Sequence, residues 1–187
     1  MTGKWYQLTL REGDQGEALL KVPVDQGIPE FNIWDLSAGS PLDLANPLQI
    51  ELERDGVLAD IYLTAFDVMV VSPSTAEILR QDAASDIQLI DAVCSNGGEM
   101  FVANILSSVD CIDREQSSII YHEKTDRFTR RKAGDIQVVT RLVVDKSKLT
   151  TPTICRVSNY RSAIILRQDL AERLQHASLS GVAFVEV

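Results

Sequence analysis

The two carboxylates best spaced for acid–base chemistry are Asp110 and Asp113, which lie three residues apart. General acid–base catalysis needs side chains that reach the same reacting group. Residues three apart on a strand point to opposite faces, so this pair meets only where the chain bends. We favour a structural interpretation, in which Asp113 caps a turn towards Ser117 and Asp110 satisfies backbone groups in a sheet. An uncharacterised enzyme that uses Asp110 and Asp113 is the alternative, and it would need a pocket that gathers these carboxylates with His122 or Arg156.

Other groups that could do chemistry are few. The sequence lacks GxSxG, HExxH, Walker and GxGxxG patterns, which argues against the common hydrolase, zinc protease and nucleotide-binding classes. His122 and His176 are interpreted as ordinary strand-end and helix-end residues. Cys111 could meet His122 across a turn, but two ligands are too few to indicate a metal. We therefore predict no catalytic residue, no metal site and no cofactor. The cysteines form no CxxC pair and are interpreted as small core residues of a reduced protein: Cys94, Cys111 and Cys155.

One short segment, Lys124–Lys132, is strongly basic and surrounds Phe128. Its arginines could bind phosphate, through Arg127, Arg130 and Arg131. Its position between two predicted strands favours a solvated hairpin tip instead. The acidic remainder of the chain also opposes nucleic-acid binding, so we do not expect nucleic acid as a partner.

The net charge of −9 is unevenly distributed. Residues 1–67 hold 12 acidic and 4 basic residues, a net charge of −8, whereas residues 68–187 hold 15 acidic and 14 basic residues, a net charge of −1. An acidic surface attracts basic partners. Solubility alone is the other interpretation of this excess.

No part of the sequence predicts contact with a membrane. The longest stretch without Asp, Glu, Lys or Arg, Leu174–Val185, is too short to span a bilayer. The first residues lack an apolar region behind a basic start, so we expect no secretory signal. A cytoplasmic location fits these features and the cysteine usage best.

The segment Phe101–Asp113 is predicted to be a long central strand with a polar seam. Apolar residues recur at every second position on one face, and polar residues interrupt the other face. Buried polar side chains need hydrogen-bond partners, so the seam is interpreted as structural. Its members are Asn104, Asp110 and Asp113.

The sequence repeats itself on either side of this strand. Residues 68–92 align without a gap on residues 163–187, and Leu79 falls on Leu174. Each copy reads as a strand, a helix of two to three turns and a second strand. Ser72 and Pro73 supply a cap and a first helical position in the first copy. Arg167 occupies the cap position of the second copy, so we expect that helix to start later, at Asp169.

The remaining pattern predicts strands. Two alternating runs, 48–53 and 59–64, flank Asp55-Gly56 and predict a β-hairpin, and Phe31–Leu36 is a further candidate strand. Together these features predict an α+β fold with a mixed, mostly antiparallel sheet and two similar strand–helix–strand units. We divide the chain into a β-rich segment, residues 1–66, and an α+β region, residues 67–187, and expect one continuous globular unit.

The order of motifs in residues 67–187 resembles immunity family eleven of bacterial polymorphic toxin systems. Asn104, the run Val109–Asp113 and Ser117 are similar to its core pattern N-x-L-x-x-V-D-x-x-D-x-x-x-S. The downstream order is similar too: Leu142–Asp145, the short strand Ile154–Val157, and a strand and helix followed by Gly181–Phe184. Arg167 departs from the small polar residue usual at the second helix start.

The resemblance implies a cytoplasmic protein, encoded beside a toxin, that protects its producer by binding that toxin without catalytic residues. We expect recognition in the N-terminal segment, where aromatic anchors would have a charged surround. A core position is the alternative for Trp34, which shares a face with Leu36. A small-ligand-binding module is the alternative function. The expected binding residues are Trp34, Asp35, Asp43, Glu51, Glu53 and Tyr62.

Overall fold

The computed structural model describes residues 3–11, 16–27, 31–125 and 132–187. Within these residues there are two α-helices and fourteen strands, most of them in antiparallel pairs. The predicted α+β class with a mixed, mostly antiparallel arrangement is therefore confirmed. The strands are β1 (Trp5–Leu10), β2 (Leu19–Leu20), β3 (Leu48–Ile50), β4 (Leu52–Arg54), β5 (Ile61–Leu63), β6 (Met69–Val71), β7 (Ile87–Cys94), β8 (Glu99–Ile105), β9 (Ser108–Val109), β10 (Ser118–Tyr121), β11 (Ile136–Arg141), β12 (Ile154–Val157), β13 (Tyr160–Arg167) and β14 (Val182–Glu186), and the helices are α1 (Pro73–Asp82) and α2 (Gln168–His176).

Two five-stranded sheets form the body of the protein. Sheet I has the order β3-β7-β8-β6-β5, and sheet II has the order β14-β1-β13-β12-β9. Parallel pairing occurs between β3 and β7 and between β9 and β12. Two small ribbons, β2–β4 and β10–β11, complete the described strands.

The two strand–helix–strand units have the same topology. Strands β6 and β7, joined by α1, both pair antiparallel with β8, which lies between them. Strands β13 and β14, joined by α2, both pair antiparallel with β1 in the same way. The predicted units are confirmed, but they lie in two sheets rather than in one shared sheet system. The physical reason is that each unit takes a different strand, β8 or β1, into its central gap.

The two units share one apolar core between the sheets. Helices α1 and α2 contact each other, and both Leu79 and Leu174 are completely buried there with residues of both sheets. Arg173 on α2 donates hydrogen bonds to Asp82 and Gln81 at the end of α1. The helices are thus joined by apolar packing inside and by polar contacts at the surface.

Local capping explains how the helices begin. The Ser72 side chain accepts a hydrogen bond from the Thr75 amide, with Pro73 in the first turn, as the sequence predicts. The second helix begins at Gln168, so the expected late start at Asp169 is wrong. Arg167 stands at the cap position and donates two hydrogen bonds to the Asp169 carboxylate.

The segment predicted as one central strand is in fact divided between the sheets. Strand β8 ends at Ile105 in sheet I, and after a crossover at Leu106-Ser107 the chain joins sheet II as β9. Residues 102–105 are buried whichever way they point, because β8 is an interior strand between two packed layers. The prediction of one long strand with one core face is therefore wrong.

The predicted hairpin around Asp55-Gly56 is also wrong. Strand β3 pairs with β7, β4 pairs with β2, and β5 pairs with β6, so the two alternating runs join different neighbours. Gly56 lies directly against the backbone of residues 16–18, which occupies the space beside the turn. The candidate strand Phe31–Leu36 is likewise wrong, because Ile33–Ser37 forms a 3₁₀ helix capped by the Asn32 side chain.

The N-terminal segment contributes strands to both sheets. Strand β1 fills the centre of the second unit, whereas β3 and β5 form the edges of sheet I. We therefore propose that residues 1–66 and 67–187 fold as one unit, since neither sheet is complete without both parts.

The half-buried carboxylate of Asp60 forms hydrogen bonds with both repeated units. Asp60 accepts hydrogen bonds from the Ser72 hydroxyl at the start of α1 and from the amide and hydroxyl of Ser180 in the second unit. Beside it, Gly181 has a φ of +92°, and a Cβ there would collide with the Ile61 carbonyl oxygen. Burial favours the neutral acid, but these hydrogen bonds prevail and lower the pKa of Asp60 below its ordinary value.

We predict that Asp60→Asn lowers the free energy of unfolding by about 1–3 kcal/mol at pH 7, because charge-assisted hydrogen bonds are lost. Since the folded-state pKa of Asp60 is depressed, its contribution is complete above the ordinary aspartate pKa and disappears as the pH falls through the folded value. Urea unfolding of both proteins should therefore show a difference that is constant near neutrality and shrinks in acid. Asp55→Asn, at an exposed carboxylate, is the control and should change little; a pH-independent difference for Asp60→Asn would contradict this account.

Candidate functional site

The expected carboxylate pair is not gathered into a reactive site. Asp110 is exposed and pairs with Arg114, with 3.0 Å between the closest atoms. Asp113 accepts the backbone amides of Glu115 and Gln116, each at 3.0 Å, and so caps the turn before Ser117. Hydrogen bonding, chiefly from the Gln116 amide, lowers the pKa of Asp113. Asp110 thus lies outside the sheet, contrary to the expectation that it satisfies backbone groups there.

Asn104 has a structural role in sheet I. It is fully buried, and its amide nitrogen donates to the Ser40 carbonyl at 2.8 Å and to Gln88 at 3.2 Å. Gln88 also binds both backbone groups of Leu42. These side chains bind the segment around residues 40–42, which covers sheet I. The polar seam therefore has a structural role at Asn104.

An open cleft of about 990 Å³ lies between the β10–β11 ribbon and the turn that joins β12 to β13. Its lining is mostly polar and includes Arg114, Tyr121, Asp135 and Arg161. The groups that the enzyme alternative would need to converge do not line it: Asp110, Asp113, His122 and Arg156. In the described residues, no group of three or more His, Cys, Asp or Glu side chains is placed to hold a metal ion.

The three cysteines lie in the core, as the sequence predicts. Burial raises the pKa of Cys111 to about 11 and the pKa of Cys155 to about 12, and it also raises the pKa of Cys94. A nucleophilic cysteine needs the opposite shift, because the thiolate is the reactive form. These thiols therefore have a packing role.

Most of the expected acidic surround lies at the surface. Asp43, Glu51 and Glu53 are exposed, and Glu51 forms an ion pair with Lys21 at 2.7 Å. Tyr62 is half-buried against the core of sheet I, and its hydroxyl accepts the Ala59 amide at 2.8 Å. Tyr62 is thus already engaged within the fold, whereas the three carboxylates are accessible to a partner.

Trp34 lies at the surface rather than in the core. Its side chain is 55% exposed, although Leu36 and Ser37 in the same 3₁₀ helix are buried. The indole packs edge-to-face against Phe66, with ring centroids 4.8 Å apart and planes at 80°. Asp35, half-buried beside Trp34, accepts a hydrogen bond from Asn32 at 3.0 Å. We call Trp34, Asp35, Phe66 and Asp67 the aromatic corner.

The backbone of the aromatic corner is unusual. Phe66 and Asp67 both have left-handed conformations, with φ values of +63° and +61°. A left-handed conformation costs a non-glycine residue about 1–2 kcal/mol. On either side of these residues, the Thr64 amide and hydroxyl both donate to the Val68 carbonyl. Phe66 remains 41% exposed, so burial of its ring offsets only part of this cost.

A buried guanidinium holds the corner from inside the protein. Arg156 on β12 is 1% exposed, and it donates to the Asp67 carbonyl at 2.7 Å and to the Arg161 carbonyl at 2.8 Å. Burial lowers the pKa of Arg156 to about 10, so it remains charged at neutral pH. The corner of sheet I is therefore fixed by a strand of sheet II.

Sequence reasoning missed Phe66, Asp67 and Arg156 as parts of a surface feature. Phe rarely adopts a left-handed conformation, and Asp, although enriched there, occurs in many other turns, so the pair did not predict this backbone. Arg156 did offer a signal, since a lone charge within the apolar run Ile154–Val157 indicates a buried ion that needs specific partners. The exposed apolar residues of the β10–β11 ribbon were also missed: Ile120, Tyr121 and Val138.

Two further features bear on partners. The basic segment Lys124–Lys132 lies largely outside the described residues, since the structure does not describe residues 126–131. Among the described helices, neither combines the length and apolar character required to traverse a membrane.

Large aromatic residues such as Trp34 are frequent at the centres of protein interfaces, where they are surrounded by polar residues. The chain belongs to the immunity protein family Imm11, whose sequence model matches residues 15–187. The match extends well into the N-terminal segment, beyond the resemblance found over residues 67–187. Family membership suggests a role without catalysis. No functionally curated protein shows a significant match to the chain.

Proposed function

We propose that this protein is a bacterial immunity protein that binds a cognate polymorphic toxin in the cytoplasm and neutralises it without catalysis. Membership of the Imm11 family over residues 15–187 carries the proposal. The dispersal of Asp110, Asp113, His122 and Arg156 supports it, because a binding protein needs no convergent acid and base.

Neutralisation would occur by tight, non-covalent binding that covers the active site or another essential surface of the toxin. The proposed contact residues lie in the N-terminal segment, where a central aromatic anchor and a charged rim have different tasks. Residues 31–67 carry seven acidic residues and one basic residue, a net charge of −6. The proposed partner is therefore a toxin with a basic face, and we propose neither nucleic acid nor a membrane as a partner.

The aromatic Trp34 would supply buried contact area, and the accessible carboxylates Asp43, Glu51 and Glu53 would attract the toxin at a distance. Asp35 and Tyr62 are less accessible to a partner, because each is half-buried as well as hydrogen-bonded inside the protein. This division predicts that aromatic substitutions change the lifetime of the complex, whereas carboxylate substitutions change its rate of formation.

We predict that co-expression of this chain protects cells from the protein encoded by the neighbouring gene. Cells expressing that protein alone should die, and cells expressing both should grow. The purified proteins should form a complex that elutes together in size-exclusion chromatography. Equal killing with and without this chain, together with no complex between the purified proteins, would refute the immunity function.

We also predict that the triple substitution Asp43→Asn, Glu51→Gln, Glu53→Gln slows association with that protein by roughly threefold to tenfold at low ionic strength. The reason is the loss of long-range attraction, so the dissociation rate should change much less. Stopped-flow or surface plasmon resonance measurements over a series of salt concentrations would show this.

The matched control removes three exposed carboxylates from the other part of the chain: Glu115→Gln, Glu123→Gln and Glu172→Gln. It has the same net charge as the test variant, so it separates local attraction from total charge. Association rates of the two variants should converge as salt rises, because screening removes the attraction. Equal slowing by both variants would contradict an acidic docking face in the N-terminal segment.

A further inference from the structure

The aromatic corner has the properties of a binding hot spot. Trp34 and Phe66 bring two large rings together at the surface, with 55% and 41% of their area exposed. Exposed aromatic pairs of this kind are enriched at the centres of protein interfaces, where they gain from losing water. Among the described residues, the other exposed apolar side chains do not form an aromatic pair of this kind.

The corner is also preorganised, which reduces the entropy lost on binding. Trp34 is fixed through the buried Leu36 and through the Ser37 hydroxyl, which donates to the Trp34 carbonyl at 3.2 Å. Phe66 is fixed by its left-handed backbone and by the bond from Arg156 to the next carbonyl, that of Asp67. The backbone that carries both rings is thus held before a partner binds, and the rings contact each other.

The strain at the corner points away from a purely structural role. A left-handed Phe66 is costly and leaves much of its ring in water, so a glycine there would satisfy the backbone better. Residues held in sparsely populated conformations are concentrated at binding and active sites, where the surrounding structure fixes them. The Phe66 ring therefore stands at a position whose backbone conformation favours glycine.

The charges at the corner indicate the chemistry of its ligand. Each aromatic residue is followed directly by an aspartate, Asp35 after Trp34 and Asp67 after Phe66, within a segment of net charge −6. Aromatic faces attract cations, and carboxylates beside them add hydrogen-bond acceptors for the same cation. A basic side chain with apolar neighbours complements the two rings and the two aspartates, and the cleft that Asp67 borders also contains Arg114 and Arg161.

We propose that the aromatic corner is the centre of the toxin-binding surface, where it receives an arginine or lysine of the toxin together with adjoining apolar atoms. This inference rests on the proposed immunity function and specifies its site. Arg156 is a positioning residue in this account, since it holds the Asp67 carbonyl from inside and does not touch the toxin.

The test compares Phe66→Ala and Phe66→Gly with the unmodified chain, using the protein encoded by the neighbouring gene as the probe. Both variants should weaken binding by roughly 30-fold or more, as expected for a hot-spot residue. Phe66→Gly should nevertheless unfold at a temperature no lower than Phe66→Ala, because glycine adopts the left-handed backbone freely. A residue retained for stability alone would show loss of stability without loss of affinity.

Tyr121→Ala is the matched control, since this aromatic residue is 42% exposed and lies outside the aromatic pair, on the β10–β11 ribbon across the cleft that it lines together with Asp67. Its affinity should equal that of the unmodified chain. Unmodified chain that fails to bind would overturn the proposed function itself, and with it the corner as a toxin site. Binding that survives both Phe66 substitutions, or that Tyr121→Ala weakens equally, would overturn the corner alone. Self-association of the chain that Phe66→Ala abolishes, with toxin binding unchanged, would also overturn it.

Discussion

The buried guanidinium of Arg156 is the constraint on which the arrangement of the two sheets depends. A charge that is 99% removed from solvent is costly unless its donors are satisfied, and no carboxylate forms an ion pair with it in the described residues. Its two terminal nitrogens donate to the backbone carbonyls of Arg161 and Asp67, one on each side of the sheet junction, and its Nε has no partner among the described residues. The Asp67 carbonyl belongs to the left-handed stretch Phe66–Asp67, in which the Phe66 ring is 41% exposed.

The same junction brings the repeated units together. In each unit, a helix joins two strands that run parallel, and a third, antiparallel strand lies between them and pairs with both. Helices α1 and α2 pack against each other in one core. Asp60 with Ser180 and Asp86 with Thr153 add polar links across the same boundary. A packed body of this kind supports the aromatic corner, since loops that are already ordered reduce the entropy cost of binding.

The sequence predicted the elements that depend on local pattern. The repeated helices were visible because apolar residues such as Leu79 and Leu174 recur at matching positions and Ser72-Pro73 marks a helix start. The hairpin at Asp55-Gly56 was mispredicted because strand partners are chosen by burial over long sequence distances, which local alternation does not encode. The passage of the chain from sheet I to sheet II after Ile105 was not predicted for the same reason.

The candidate site was only partly accessible from sequence. Trp34 and the acidic character of its surroundings could be recognised from residue type and charge. Its partner Phe66 could not, because Phe rarely adopts the left-handed conformation on which the contact depends. The Asp67 carbonyl is also held by Arg156, which lies 89 residues further along the chain. Surface features that depend on contacts between distant parts of the chain can be recognised only in the folded structure.

The central claim is that the toxin docks on the aromatic corner, and hydrogen–deuterium exchange of the chain with and without the neighbouring gene's protein tests it most directly. We expect slower exchange on binding for the backbone amides of residues 33–37 and 64–68, with little change in the β10–β11 ribbon. Protection confined to that ribbon and to the turn at residues 158–162, with unchanged exchange at the corner, would contradict it.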